Sequence, residues 1–148
     1  MNGEEPVEQL TLPGCGDTVT GLALSPDGTT LLSASMDHVL RAWDVRPFVP
    51  GAAGNAAMRC ERAYEGARHG AEKLLLRCGW APDGERVASG SSDRVVRIWD
   101  AASSKLLYAL PGHKGSVNDV VFNPVRADVV ASCGSDKQIF VGELSAGN

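Results

Sequence analysis

The chain has 148 residues, room for one ordinary domain, and its 43% hydrophobic content excludes a disordered segment. A net charge of −4 gives nucleic acid no bulk electrostatic attraction. No apolar run approaches the ~20 residues of a membrane-spanning helix, and the N-terminus lacks the basic region and apolar core of a signal peptide.

In chain order, residues 1–6 form a polar, acidic tail and Val7–Leu12 is a candidate outer strand. Val19–Leu24 alternates in character as a half-buried strand does. Ser25-Pro26-Asp27-Gly28 is a hairpin signal, because Pro presets φ and Gly accepts the strained last position. A second strand runs through Ser33 to Asp37, which can cap a tight turn with its own carboxylate, and a third closes at Trp43-Asp44. Residues 46–70 are rich in Ala, Gly and Arg, lack alternation and read as an insertion loop. The order then restarts: strand Leu74–Trp80, turn Ala81-Pro82-Asp83-Gly84, a strand from Ser89 into Asp93, and a closing strand at Trp99-Asp100. Lys105–Leu110 is a second candidate outer strand. A third round follows with strand Val117–Phe122, the degenerate turn Asn123-Pro124-Val125-Arg126, then Ser132 and Asp136. This round ends at Gly142-Glu143, where the other two have Trp-Asp, and residues 145–148 are a short tail.

The three rounds are one repeat. Asp93 and Asp136 stand 43 positions apart, inside the ~40–45 residues of a four-stranded propeller blade. Asp37 and Asp93 stand 56 apart, and the excess of 13 is assigned to the insertion. The predicted fold is all-β: a partial β-propeller of three four-stranded blades at about residues 7–45, 71–100 and 105–144. Propellers close with about 4–8 blades, and open sheet edges invite association. The expectation is therefore the C-terminal part of a longer, seven-bladed ring, and the alternative is a small protein that oligomerises to close one.

The Gly112-His113 pair, the Pro-Asp-Gly turns, the Ser-x-x-x-Asp segments and the two Trp-Asp pairs resemble the WD-repeat family across residues 7–144. The resemblance implies a hydrogen-bond network of His, Ser, Asp and Trp within each blade. The matching residues are Ser33, Asp37 and Trp43, then Ser89, Asp93 and Trp99, then His113, Ser132 and Asp136. No repeat carries all four: Cys15 stands where the first would have His, Gly142 replaces the third Trp, and the only His near the second is His69. Each blade is therefore expected to lean on packing more than an ideal one would.

No reactive constellation stands out. The three turn aspartates occupy one structural position and read as neither acid catalysts nor a metal cluster. The glycines of residues 50–54 lack the lysine and helix start of a phosphate loop. Cys15, Cys60, Cys78 and Cys133 show no zinc spacing, and Cys78 and Cys133 are expected to be buried thiols, which suits a reducing compartment. Trp43 and Trp99 read as core, and His38 as solvent-exposed. Neither enzymatic activity, a cofactor, a metal nor a small-molecule substrate is expected.

Interaction surfaces remain. Met36, Ser92 and Ser135, each just before a turn aspartate, are candidates for one contact face. Arg41, Arg46, Arg59, Arg62 and Arg68 lie in or beside the insertion, either as a solvated loop or as forks for an acidic protein surface or RNA phosphate. Trp43 to Phe48, Leu110 to His113 and the ending Val141-Gly142-Glu143-Leu144 further resemble a spliceosomal member of the same family. That resemblance implies a nuclear, noncatalytic scaffold whose partners are large spliceosomal proteins, with direct RNA contact left open. Trp43-Asp44-Val45-Arg46 is also similar to the box by which some family members dock on cullin ubiquitin ligases. This makes a substrate receptor the alternative, beside a generic signalling scaffold.

Overall fold

The computed structural model describes residues 10–52 and 54–145. Eleven strands form three antiparallel sheets. The first contains β1 (Val19–Leu24), β2 (Thr30–Ser35), β3 (Val39–Asp44) and β4 (Cys60–Glu65). The second contains β5 (Cys78–Trp80), β6 (Arg86–Ser89), β7 (Val96–Asp100) and β8 (Leu106–Leu110). The third contains β9 (Val117–Phe122), β10 (Val129–Gly134) and β11 (Ile139–Glu143). Gly28 and Gly84 close the first two hairpins at φ +77 and +76, each donating its N–H to the residue three before it, as the Pro-Asp-Gly signals require.

β1, β5 and β9 lie side by side, one per sheet, and are tied across the sheets. Thr20 Oγ1 donates to the Leu76 carbonyl at 2.7 Å, Arg77 N–H to Asn118 O at 2.9 Å, and Trp80 Nε1 to Ala23 O at 3.0 Å. Backbones approach so closely that a Cβ on Gly79 would lie 2.8 Å from Val120 O. Glycine there is a condition of stacking the sheets.

Strand alternation then sends neighbouring residues into two different cores. Val87 and Trp99 face the first sheet, packing with Leu32, Leu40 and Tyr64. Ala88 and Ile98 face the third, packing with Val117, Val120 and Val130. Among the described residues the outward face of the first sheet is covered over Trp43 by Gly14 and Cys15 but not over β1, and that of the third has no covering layer. Leu22 and Leu24 are exposed on one, Val121, Ile139 and Val141 on the other.

Five expectations are corrected. Residues 46–70 are not one loop: they hold a 3₁₀ turn at Ala56–Arg59 and then β4, the outer strand of the first sheet. Trp43 pairs with Cys60, and Trp99 with Leu106 after the same kind of bulge, so the extra length lies mainly in the connection before β4. Of the candidate outer strand Val7–Leu12, residues 7–9 lie outside the described residues, and 10–12 form no strand. Lys105–Leu110 does contain a strand, but it belongs to the second sheet, so the third has three strands rather than four among the described residues. Finally, Cys133 is exposed rather than buried, because it sits on the uncovered face of the third sheet. Leu74–Trp80 is strand only from Cys78.

Candidate interaction surface and its hydrogen-bond support

Every sheet has the same tight turn between its second and third strands. The turn aspartate accepts from the backbone N–H two residues on: Val39 at 3.1 Å for Asp37, Val95 at 3.3 Å for Asp93, Gln138 at 3.1 Å for Asp136. The next residue is left-handed in all three, with φ +70 at His38, +71 at Arg94 and +67 at Lys137. An Asx turn thus supplies the local hydrogen bond that offsets the strain. Met36, Ser92 and Ser135 sit at equivalent places, their N–H groups donating to the carbonyls of Thr18, Arg68 and Ser116.

What holds each aspartate differs by sheet. In the third, His113 Nδ1 meets Asp136 Oδ2 at 2.9 Å and Nε2 meets Ser132 Oγ at 2.8 Å. The carboxylate fixes the proton on Nδ1, so Nε2 accepts from the serine hydroxyl. The Lys114 N–H lowers the Asp136 pKa most; burial opposes it and His113 reinforces it. Where the other sheets place a tryptophan, Gly142 leaves space, and the Phe140 ring stands edge-on to His113 with centroids 4.3 Å apart.

In the first sheet Cys15 takes the histidine's place, its sulfur 4.0 Å from Ser33 Oγ. Trp43 Nε1 donates to that hydroxyl at 3.0 Å. Asp37 accepts from Gly16 N–H at 2.8 Å and from Arg41 at 2.7 Å. Burial pushes the Asp37 carboxyl up, but these donors and Val39 N–H outweigh it and hold it below the usual carboxylate range. In the second sheet Ser89 turns to the Gly90 carbonyl, and Trp99 Nε1 donates to Glu65 O at 3.0 Å. Asp93 is gripped by both terminal nitrogens of Arg97, at 2.9 and 2.6 Å. Burial again opposes, yet Arg97 and Ser91 keep its pKa low. His69 belongs elsewhere: its N–H donates to His38 Nδ1 at 2.9 Å, across the connection between sheets. Arg41 and Arg97 were missed by reading for histidine. The signal was an arginine four residues after the turn aspartate, present in two repeats and replaced by Phe140 in the third.

The insertion arginines do not form one patch. Arg46 forks the Asp44 carboxylate, with Nε 2.9 Å from Oδ1 and Nη2 also on Oδ2, and this contact is the main cause of the lowered Asp44 pKa. Arg59 spends its guanidinium on the carbonyls of Asp44, Arg46 and Pro47. Arg62 lies near Asp27 and Asp83, at the hairpin-turn end of the sheets. Arg68 stands at the opposite end, beside the turn aspartates, through its backbone contacts with Ser91 and Ser92.

That opposite end gathers the N-termini of β1, β5 and β9 and the turns at 36–38, 92–94 and 135–137. It also carries Arg68, Lys73, Arg94, Lys114 and Lys137, which have no ion-pair partner among the described residues. The three turn aspartates there already have hydrogen-bond donors, and Asp17 and Glu72 lie at the same end, so these cations stand among carboxylates. Among the described residues, no three His, Cys, Asp or Glu side chains gather as a metal site requires.

Stacked antiparallel sheets joined through β1, β5 and β9, with one Asx turn per sheet, define a propeller segment built from repeats. The chain belongs to the WD-repeat family: residues 6–44, 60–100 and 104–141 match the family described as "WD domain, G-beta repeat". It is 48% identical over 134 residues to the U5 small nuclear ribonucleoprotein 40 kDa proteins of Bos taurus and Homo sapiens, covering 90% of this chain and 36% of theirs. It is 46% identical over 102 residues to the pre-mRNA-splicing factor cwf17 of Schizosaccharomyces pombe, covering 69% of this chain and 28% of that one. The solved "Structure of U3-55K" superposes with a TM-score of 0.72 at 24% identity, over 89% of this chain and 38% of that chain. The chain thus spans about a third of the length of these relatives.

Proposed function

We propose that this chain is a noncatalytic protein–protein interaction scaffold acting in pre-mRNA splicing, as part of a U5 small nuclear ribonucleoprotein, with large spliceosomal proteins as partners. The observation that carries the reading is the 48% identity over 90% of the chain to proteins named for that particle. It implies a nuclear location, and the four free thiols suit a reducing compartment. The contact face is the end that bears Met36, Ser92 and Ser135. Rigid, internally satisfied turns present side chains there without reordering on binding, which lowers the entropic cost of association. Arg68, Arg94 and Lys137 complement an acidic partner surface.

The test is capture from nuclear extract on the immobilised full chain, with bound proteins identified by mass spectrometry. Spliceosomal proteins are expected, and Ser92→Arg with an unchanged melting curve should reduce their recovery. Capture of ubiquitin-ligase adaptors in place of splicing proteins would overturn the reading. The Arg46 guanidinium, held by Asp44, is already committed within the chain.

A further inference from the structure

The first two sheets each bury an indole on their third strand, six residues after the turn aspartate, and the third sheet has Gly142 at that position. We infer that the slot left at Gly142 is a binding site for the indole of a tryptophan presented by a partner polypeptide.

The first sheet supplies the template. Trp43 lies opposite Leu31, its ring reaches within 3.5 Å of a Cβ position on Gly14, and its N–H donates to Ser33 Oγ at 3.0 Å. In the third sheet Gly142 lies opposite Val130, and Gly112 and Ser132 correspond to Gly14 and Ser33. Those residues line one cavity of about 330 Å³, with Val96 and Leu110 of the second sheet as the facing wall. A Cβ on Gly142 would meet no heavy atom within 4 Å, so the space starts at the backbone itself.

The lining selects the ligand. It is mostly apolar and carries no carboxylate or guanidinium, which disfavours ions and phosphates. Its size is at the small end of ligand pockets, roughly 300 Å³, enough for one bicyclic ring. Phe140 adds an aromatic wall, held edge-on to His113. One polar demand remains. The Ser132 hydroxyl gives its proton to His113 Nε2, so its oxygen is left to accept an N–H, as Ser33 accepts that of Trp43. Phenylalanine could fill the volume but not meet that acceptor. Among the described residues nothing covers the slot along β11, whose residues are exposed, which leaves a side on which an external side chain can enter. A tryptophan in an apolar slot is also the anchor that protein interfaces favour. The cavity adjoins the turn end through His113, and the inference does not depend on which assembly the chain serves.

A fluorinated indole titrated into the full chain and followed by fluorine NMR tests the inference. Saturable binding is expected, with displacement by N-acetyltryptophanamide. N-methylindole, which lacks the donor, should bind about fivefold more weakly, the worth of one hydrogen bond. Methyl and ring resonances of Val96, Val130 and His113 should move, while those of Leu32 stay still. Gly142→Trp should abolish binding by filling the slot from within. Absence of saturable binding, shifts confined to other residues, or undiminished binding in a folded Gly142→Trp would each overturn the site. Binding of free indole without displacement by N-acetyltryptophanamide would overturn the partner tryptophan and leave a small-molecule pocket.

Discussion

Replacing His113 with alanine removes a side chain only 2% exposed that joins two elements distant in sequence. The bond to Ser132 Oγ at 2.8 Å is lost, at about 1 kcal/mol, and the serine hydroxyl, in a residue 8% exposed, is left without a partner, at about 1–3 kcal/mol more. Asp136 keeps the N–H groups of Lys114 and Gln138, so its carboxylate is not orphaned. The ring's edge contact with Phe140 is also lost, and the new void adjoins the mostly apolar cavity. The expected cost is about 2–4 kcal/mol, a large share of the 5–15 kcal/mol typical of a domain. Urea unfolding followed by tryptophan fluorescence and by far-ultraviolet circular dichroism measures it. Cys15→Ala is the internal control, because the thiol makes only a 4.0 Å contact with Ser33 and Trp43 still donates to that serine. It should cost under about 1 kcal/mol. Equal losses for the two variants would refute the reasoning, since the third sheet would then owe its turn to packing alone.

Acid should weaken the fold. The folded pKa values of Asp37, Asp93 and Asp136 lie below the ordinary 3.8, so their contribution is full above that pH and is lost as pH falls through the folded values. The urea midpoint should therefore drop below about pH 4, and Asp37→Asn should flatten the drop. Gly79→Ala drives a Cβ to 2.8 Å from Val120 O and should cost about 1–3 kcal/mol, read as a lower urea midpoint; an unchanged midpoint would mean that β5 and β9 can move apart freely. Arg46→Ala strips the fork from the buried Asp44 carboxylate and should lower the melting temperature at pH 7, by less once the pH falls through the lowered Asp44 pKa. Under native conditions iodoacetamide should label exposed Cys133 quickly and spare Cys78, whose thiol burial pushes up to about 12, until the chain unfolds; early labelling of Cys78 would show that the first core opens.

What was legible in the sequence is what short-range chemistry decides. The Pro-Asp-Gly hairpins and the Asx turns at Asp37, Asp93 and Asp136 each close with bonds to residues two or three away, so local residue type was enough to place them. The repeat spacing then made stacked sheets the natural reading, and the Gly-His, Pro-Asp-Gly, Ser-x-x-x-Asp and Trp-Asp residues carried the resemblance to the family that the chain matches. Other features depended on partners far along the chain. β4 lacks alternation, with only Tyr64 fully buried, and becomes a strand by pairing with β3. His69, in range of the second repeat by count, donates its N–H to His38 because the connection before β5 carries it to the first sheet. Arg62 and Arg68, six positions apart, reach opposite ends because Arg62 stands within β4, its side chain directed to the hairpin turns, while Arg68 lies beyond the strand's far end. The same applies to Gly142. By itself it is an imperfect repeat, and only the packing of the second sheet against the third turns the missing side chain into a lined cavity with its own hydrogen-bond acceptor. Local bonds are written in neighbouring residues, whereas a lined cavity requires surfaces from separate sheets, which only the folded chain brings together.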